Sequence, residues 1–173
     1  MKKFLSDGAQ IIAAFLFAFI ISRGVIVHAQ VVSSSMEGTI PTNGLTIGSR
    51  LSYVIGEPQR FDIIVFENPL DPSRPPFVKR IIGLPYETVE IRNGQVYIND
   101  SATPLDDSFT KEESFGNHGP FIVPTDSFFV LGDHRNNSLD SRGLPDIFIQ
   151  RDAIIGRLFV TYFPNPTWFR RIS

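Results

Sequence analysis

The sequence predicts a mostly β, antiparallel domain tethered at its N-terminus by one apolar segment. Three observations carry this. From Val31 onward, short β-branched and aromatic runs recur between turn signals, with no sustained 3.6-residue apolar periodicity. Thirteen prolines, among them Pro75-Pro76 and the nearby Pro164 and Pro166, interrupt any long helix. The longest apolar run, Ile11 to Ile21, follows closely on Met1-Lys2-Lys3.

The N-terminal run is strictly apolar for eleven residues. Admitting Gly8, Ala9, Gln10, Ser22, Arg23 and Gly24 extends it to Val27, about 20 residues, enough for a ~30 Å helix. Arg23 can snorkel to the interface. Two readings stand side by side. One is a permanent anchor over residues 1–29. The other is a cleavable signal, with Lys2 and Lys3 as its basic end and Val27-His28-Ala29 as its cleavage triplet. Both send the rest of the chain across a membrane with the N-terminus on the cytoplasmic side.

Residues 30–173 are then one domain. Candidate strands are Asp62–Phe66, Phe77–Ile82, Thr88–Arg92, Gln95–Ile98, Ser127–Leu131 and Ile154–Phe163. Asn93-Gly94 supplies the two positive-φ positions of a type I′ hairpin turn, with alternating apolar residues on both flanks. Pro41-Thr-Asn-Gly44 reads as a second turn. Residues 99–120 are polar and turn-rich, a loop or small insertion.

Composition excludes several classes. At 42% hydrophobic and 12% aromatic the chain suits a packed core. Sixteen basic against eighteen acidic residues leave a net charge of −2, without the basic stripe of a nucleic-acid binder. No cysteine means no disulfide framework, thiol nucleophile or thiolate zinc site. The three histidines, His28, His118 and His134, show no metal-ligand spacing and no nucleophile-elbow context, so neither a metal, a cofactor nor a Ser-His-Asp triad is expected.

Three polar segments could carry chemistry. In Val32-Ser33-Ser34-Ser35-Met36, an extended chain would set Ser33 and Ser35 on one side. One hydroxyl could then attack a carbonyl while the other stabilises the oxyanion. The plain alternative is a polar linker. In Phe77-Val78-Lys79-Arg80-Ile81-Ile82, strand alternation puts Lys79 on a face with Phe77 and Ile81. Free lysine is neutral in only about one molecule in 2,500 at pH 7. Apolar burial lowers its pKa and would let it deprotonate a serine. The alternative is an edge-strand lysine that blocks aggregation. In Gly132 to Gly143, Asp140 and Arg142 can pair and hold the segment rigid, and Ser138 could aim a lysine amine. The alternative is a solvated loop with a surface ion pair worth under ~1 kcal/mol.

Together these segments resemble the bacterial type I signal peptidases, the Ser-Lys membrane endopeptidases. The order of the boxes matches: apolar span, Ser33-Ser34-Ser35-Met36, Asp62-Ile-Ile-Val-Phe66, Val78-Lys-Arg-Ile-Ile-Gly-Leu-Pro85, and Gly132-Asp-His-Arg-Asn-Asn-Ser-Leu-Asp-Ser-Arg142. The resemblance implies a coiled antiparallel β-sheet domain, sandwich-like, with one transmembrane helix and an exposed apolar surface near the bilayer. It implies Ser35 as nucleophile and Lys79 as general base. Ser33 and the Ser35 amide would form the oxyanion site, and Ser138 would orient Lys79. Asp140 and Arg142 would form a supporting ion pair. Val32, Met36 and Val78 would serve the substrate pockets, Met36 from beneath the site. Substrates would be exported preproteins cut after small residues at −1 and −3, with the bilayer and the secretion machinery as partners. The enzyme would sit in the plasma membrane as a single-pass protein with its catalytic domain outside, which favours the permanent anchor. Trp168-Phe169-Arg170-Arg171 could join an interfacial belt.

The chain departs from the family pattern at Ser34, Gly38, Tyr86-Glu87, His134, Asn136 and Gly143-Leu144-Pro145, none of them a position of the implied dyad. A rival from another class is a catalytically silent, membrane-tethered β module that binds exported chains. The separation of Ser35 and Lys79 in space discriminates the two.

Overall fold

The computed structural model describes residues 8, 10–17, 19 and 24–169. Its framework is one eight-stranded antiparallel sheet. In chain order the strands are β1 (Ile26–Val31), β2 (Gly44–Ser49), β3 (Ile63–Phe66), β4 (Phe77–Gly83), β5 (Thr88–Arg92), β6 (Gln95–Ile98), β7 (His118–Ile122), β8 (Ser127–Leu131), β9 (Ile149–Gln150), β10 (Ile154–Phe163) and β11 (Thr167–Trp168). The main sheet runs β1-β2-β10-β3-β4-β8-β9, with β11 paired to β10. A smaller sheet runs β6-β5-β7.

The main sheet is curled. Four strand spacings separate β1 from β4, roughly 19 Å if the sheet were flat. Yet Val27 and Val31 of β1 share one buried cluster with Ile63 and Val65 of β3, Val78 of β4 and Leu158 of β10. Only a strongly twisted sheet bends its edge strand back over its centre. The curl brings the segment after β1 to the first half of β4. That half is open on one side, because pairing of β4 with β8 begins only at Arg80↔Leu131.

The predicted strands at Thr88–Arg92, Gln95–Ile98, Ser127–Leu131 and Ile154–Phe163 form as expected. Asn93 (φ 51°) and Gly94 (φ 79°) make the predicted hairpin turn, and the Gly44 amide donates to the Pro41 carbonyl at 2.8 Å in the other. The insertion differs in extent. It ends at Asn117, because His118–Ile122 pairs with β5 as an outer strand of the smaller sheet. Gly119-Pro120 reads as a breaker, but an edge strand tolerates proline.

The N-terminal boundary also differs. Residues 26–31 pair along their whole length with β2, so the expected division at 29/30 falls inside a strand. Val27 is buried in the core. A cut after Ala29 would remove half of β1, which stands against a cleavage triplet at 27–29. Upstream, residues 8, 10–17, 19 and 24 are helical, and Ile11, Ile12, Phe15, Leu16, Phe17 and Phe19 are exposed. Among the described residues no helix is long and apolar enough to cross a membrane. Lys2, Lys3, Arg23, Arg170 and Arg171 lie outside the described residues. Trp168 is exposed and stacks on Phe159, whereas Phe169 packs on the core.

Candidate active site

The serine segment is not extended throughout. Ser33 is extended (φ −102°, ψ 159°), and Ser34–Met36 then forms a single 3-10 turn. Across this turn Ser33 Oγ lies 3.1 Å from Ser35 Oγ. The two hydroxyls therefore meet, but through a turn rather than strand alternation. Met36 pins the turn. Its side chain is fully buried in the cluster under β1 and β4, and its carbonyl accepts from the Ile40 amide at 2.8 Å. Met36 thus lies beneath the site and does not line the cleft. Gly38 follows with φ +114°, a conformation closed to proline, so the departure at this position goes with a different chain path.

Lys79 reaches the turn from β4. Its Nζ lies 2.8 Å from Ser35 Oγ and 3.0 Å from the Val78 carbonyl. The Phe77 ring centroid is 5.3 Å away. Only 4% of the residue is exposed, so the edge-lysine alternative fails. Burial lowers the Lys79 pKa to about 8, against the opposing pull of Asp140 and Asp133. An amine titrating there is neutral in about one molecule in eleven at pH 7.

The segment after β8 encloses the pair. Gly132 continues β8 beyond the Leu131↔Arg80 rung. A Cβ on Gly132 would stand 2.2 Å from Ser138 Oγ and 2.5 Å from the Ser35 carbonyl, so only glycine allows this approach. Asp140 is held by Arg142 through Nε and Nη2, both at 2.8 Å, and by the Gly132 amide at 3.0 Å. Burial pushes the Asp140 carboxyl up, but the hydrogen bond and charge of Arg142, with the Gly132 amide, outweigh it and leave it below the ordinary range. With Asp140 fully buried, this is no solvated surface pair.

Ser138 differs from expectation. Its Oγ is buried without a hydrogen-bond partner of good geometry, although it lies near enough to Asp140 to help hold that carboxylate ionised. It makes no hydrogen bond to Lys79, whose amine is taken by Ser35 and the Val78 carbonyl. Ser138 instead packs tightly against Gly132.

Sequence reasoning missed one central pair. Arg80 bonds Asp133 through Nε (2.8 Å) and Nη2 (2.6 Å), both side chains buried, and its guanidinium lies 4.1 Å from the Phe109 ring centroid. An arginine beside Lys79 in an otherwise apolar strand, and an aspartate separated from the end of β8 only by Gly132, were the available signal.

A cleft of about 460 Å³ opens onto the two groups, with Val32, Ser33, Ser35, Phe77, Val78 and Lys79 among its walls. Val32 and Val78 directly precede Ser33 and Lys79 in sequence, and both face this cleft. A cavity of about 530 Å³ between Phe66, Pro145 and Phe148 holds no nucleophile beside a base. Among the described residues no acidic or histidine cluster could hold a metal ion.

Comparison with known proteins identifies the family. The family described as signal peptidase, peptidase S26, matches residues 5–163. A probable signal peptidase I-2 of Synechocystis is 37% identical over 167 residues, covering 94% of this chain and 74% of the relative. Signal peptidase I of Leptolyngbya laminosa is 37% identical, covering 92% of this chain and 80% of that protein. Signal peptidase I T of Bacillus subtilis is 34% identical over 93% and 86%. A crystal structure of a signal peptidase I from Enterococcus faecalis superposes with a TM-score of 0.50 at 35% identity, covering 60% of this chain and 98% of that one. The chain belongs to the signal peptidase family, peptidase S26, and is a peptidase.

Proposed function

We propose that this protein is a membrane-tethered serine endopeptidase that removes N-terminal signal peptides from exported preproteins through a Ser35–Lys79 dyad. The observation that carries the reading is the 2.8 Å contact between a buried, easily neutralised amine and a serine hydroxyl at the floor of a cleft. Neutral Lys79 takes the Ser35 proton as Oγ attacks the carbonyl of the −1 residue. Ser33 Oγ, 3.1 Å from Ser35 Oγ, and the Ser35 amide donate to the oxyanion. The lysine proton passes to the leaving amine, giving an acyl-enzyme. Water, deprotonated by Lys79, then releases the acid and free serine.

Val32 and Val78 give the cleft shallow apolar walls, which suits small side chains at −1 and −3. Asp140 and Arg142 hold the segment in which Gly132 packs against both Ser138 and the Ser35 carbonyl. Residues up to Gly24 serve as the anchor in the plasma membrane, N-terminus inside, and the strands from Ile26 form the extracytoplasmic peptidase domain. The exposed apolar side chains between Ile11 and Phe19 support that assignment. Exported preproteins, the bilayer and the secretion machinery are its partners. A silent binding module would have no use for a desolvated amine aimed at a hydroxyl.

The test is direct. Detergent-solubilised full chain, incubated with a preprotein, should cut after an Ala-x-Ala triplet. Ser35→Ala and Lys79→Ala should each abolish the cut, and substantial activity in Lys79→Ala would overturn the assignment.

A further inference from the structure

We infer that residues 99–117 act as a strap on the nucleophile turn, and that His134 is the positioning residue through which Glu112 of the strap holds Ser35 in place. The inference rests on Ser35 being the nucleophile, as proposed above.

Four consecutive residues carry it. His134 and Asn137 grip the serine turn. The His134 amide donates to the Ser35 carbonyl at 3.1 Å, His134 Nδ1 lies 3.2 Å from the Ser34 carbonyl, and Asn137 Nδ2 donates to Ser34 Oγ at 3.0 Å. Arg135 and Asn136, between them, grip the strap. Arg135 Nη1 bonds Asp107 at 2.7 Å, and the Asn136 amide and Nδ2 donate to Glu112 Oε1 (2.9 Å) and the Glu113 carbonyl (2.8 Å). His134 joins the two sets, because its Nε2 lies 3.5 Å from Glu112 Oε2. The imidazole thus spans from a strap carboxylate to the carbonyl of the residue next to the nucleophile. A ring carrying a proton on each nitrogen donates at both ends, from Nδ1 to the Ser34 carbonyl and from Nε2 to the Glu112 carboxylate.

The strap also touches the turn from its other side. The Phe109 carbonyl is 3.4 Å from where a Gly38 Cβ would stand, and the Phe109 ring stacks on Arg80, the neighbour of Lys79. The strap thus reaches the serine turn through His134 and the strand of Lys79 through the Phe109 ring on Arg80. Displacing a reacting atom by about 1 Å can cost on the order of 10² in rate. Loss of one end of such a link should therefore appear in turnover rather than in substrate affinity.

The experiment measures kcat and KM of the detergent-solubilised full chain on a peptide spanning a signal-peptide cleavage site, with Ser35→Ala as control. His134→Ala should lower kcat about tenfold with KM changed less than twofold. The pH midpoint of the acid limb, which Lys79 sets, should not move. His134→Asn should recover most of kcat, because asparagine Nδ2 can occupy the place of Nδ1 against the Ser34 carbonyl. Glu112→Ala should lower kcat about threefold in the wild type and by less in the His134→Asn background, where the ring link is already absent and only the bond from the Asn136 amide is left to lose. Wild-type kcat in His134→Ala, beside a dead Ser35→Ala, would overturn the strap alone. So would a Glu112→Ala loss equal in the two backgrounds, a result that stands even if His134→Ala does not fold. Activity in Ser35→Ala would instead overturn the nucleophile assignment and the strap with it.

Discussion

Lys79 should destabilise the fold it serves, by an amount that depends on pH. The unfolded chain carries a lysine that titrates near 10.5, and the folded chain one that titrates near 8. Between these values the unfolded state binds the proton that the folded state has released, so stability rises with pH across that window. Below about 8 both states hold the proton, and the folded state bears the full penalty. At 1.36 kcal/mol per pKa step this is about 3 kcal/mol. Lys79→Met keeps the length and apolar stem and removes the charge. It also forfeits the bonds to Ser35 Oγ and the Val78 carbonyl, each worth about 1 kcal/mol net. The inactive variant should therefore be about 1 kcal/mol more stable than wild type at pH 7. Its advantage should shrink by about 2 kcal/mol by pH 9.5, where most of the window has been crossed. Thermal or urea unfolding of both proteins in the same detergent at the two pH values measures this, since every other titrating group is shared. A wild-type-to-variant difference that is the same at pH 7 and 9.5 would show an ordinary solvated lysine, and the base would be lost from the mechanism.

Other outcomes follow from the same geometry. Processing activity should climb about tenfold per pH unit below the Lys79 midpoint and level off above about 8; a flat profile from pH 6 to 9 would exclude a titrating amine. Ser33→Ala should slow cleavage by roughly 10²–10³ with substrate binding intact, measured as kcat. Gly132→Ala drives a methyl into Ser138 Oγ and the Ser35 carbonyl and should cost about 1–3 kcal/mol in unfolding free energy together with most of the activity. Asp133→Ala leaves the Arg80 guanidinium buried and unpaired, so chemical denaturation should report a loss of about 3–5 kcal/mol, partly recovered by adding Arg80→Met.

Much of this was legible before any coordinates. Strands that alternate and end in strong turns, such as Thr88–Arg92 and Gln95–Ile98, declare themselves locally. β1 did not, because Ile26–Val31 follows an apolar run and looks like its continuation; its strand character comes from β2, far along the chain. β7 hid behind Gly119-Pro120 for the same reason, being a strand by virtue of β5. At the site, residue types and their order pointed to Ser35 and Lys79. Three-dimensional facts decided the rest. Arg80 and Asp133 are 53 residues apart and meet only when β4 lies beside β8. The 3-10 turn at Ser34–Met36 needs Met36 buried beneath it, which no local pattern announces. Ser138 could be assigned a task from its neighbours in sequence, but its place against Gly132 is a matter of packing.

The pairing of β1 with β2 bears on the durability of the proposed tether. Val27-His28-Ala29 has the small-residue look of the sites the proposed activity would cut, and it lies near the start of β1, just past the N-terminal helical residues. A peptidase must draw its substrate out as a free ribbon before it can cut. Here that ribbon is already stitched to a neighbour rung by rung, with Val27 clamped in the interior. One copy could sever another only by first unravelling it, so the fold that builds the blade also sheathes the handle.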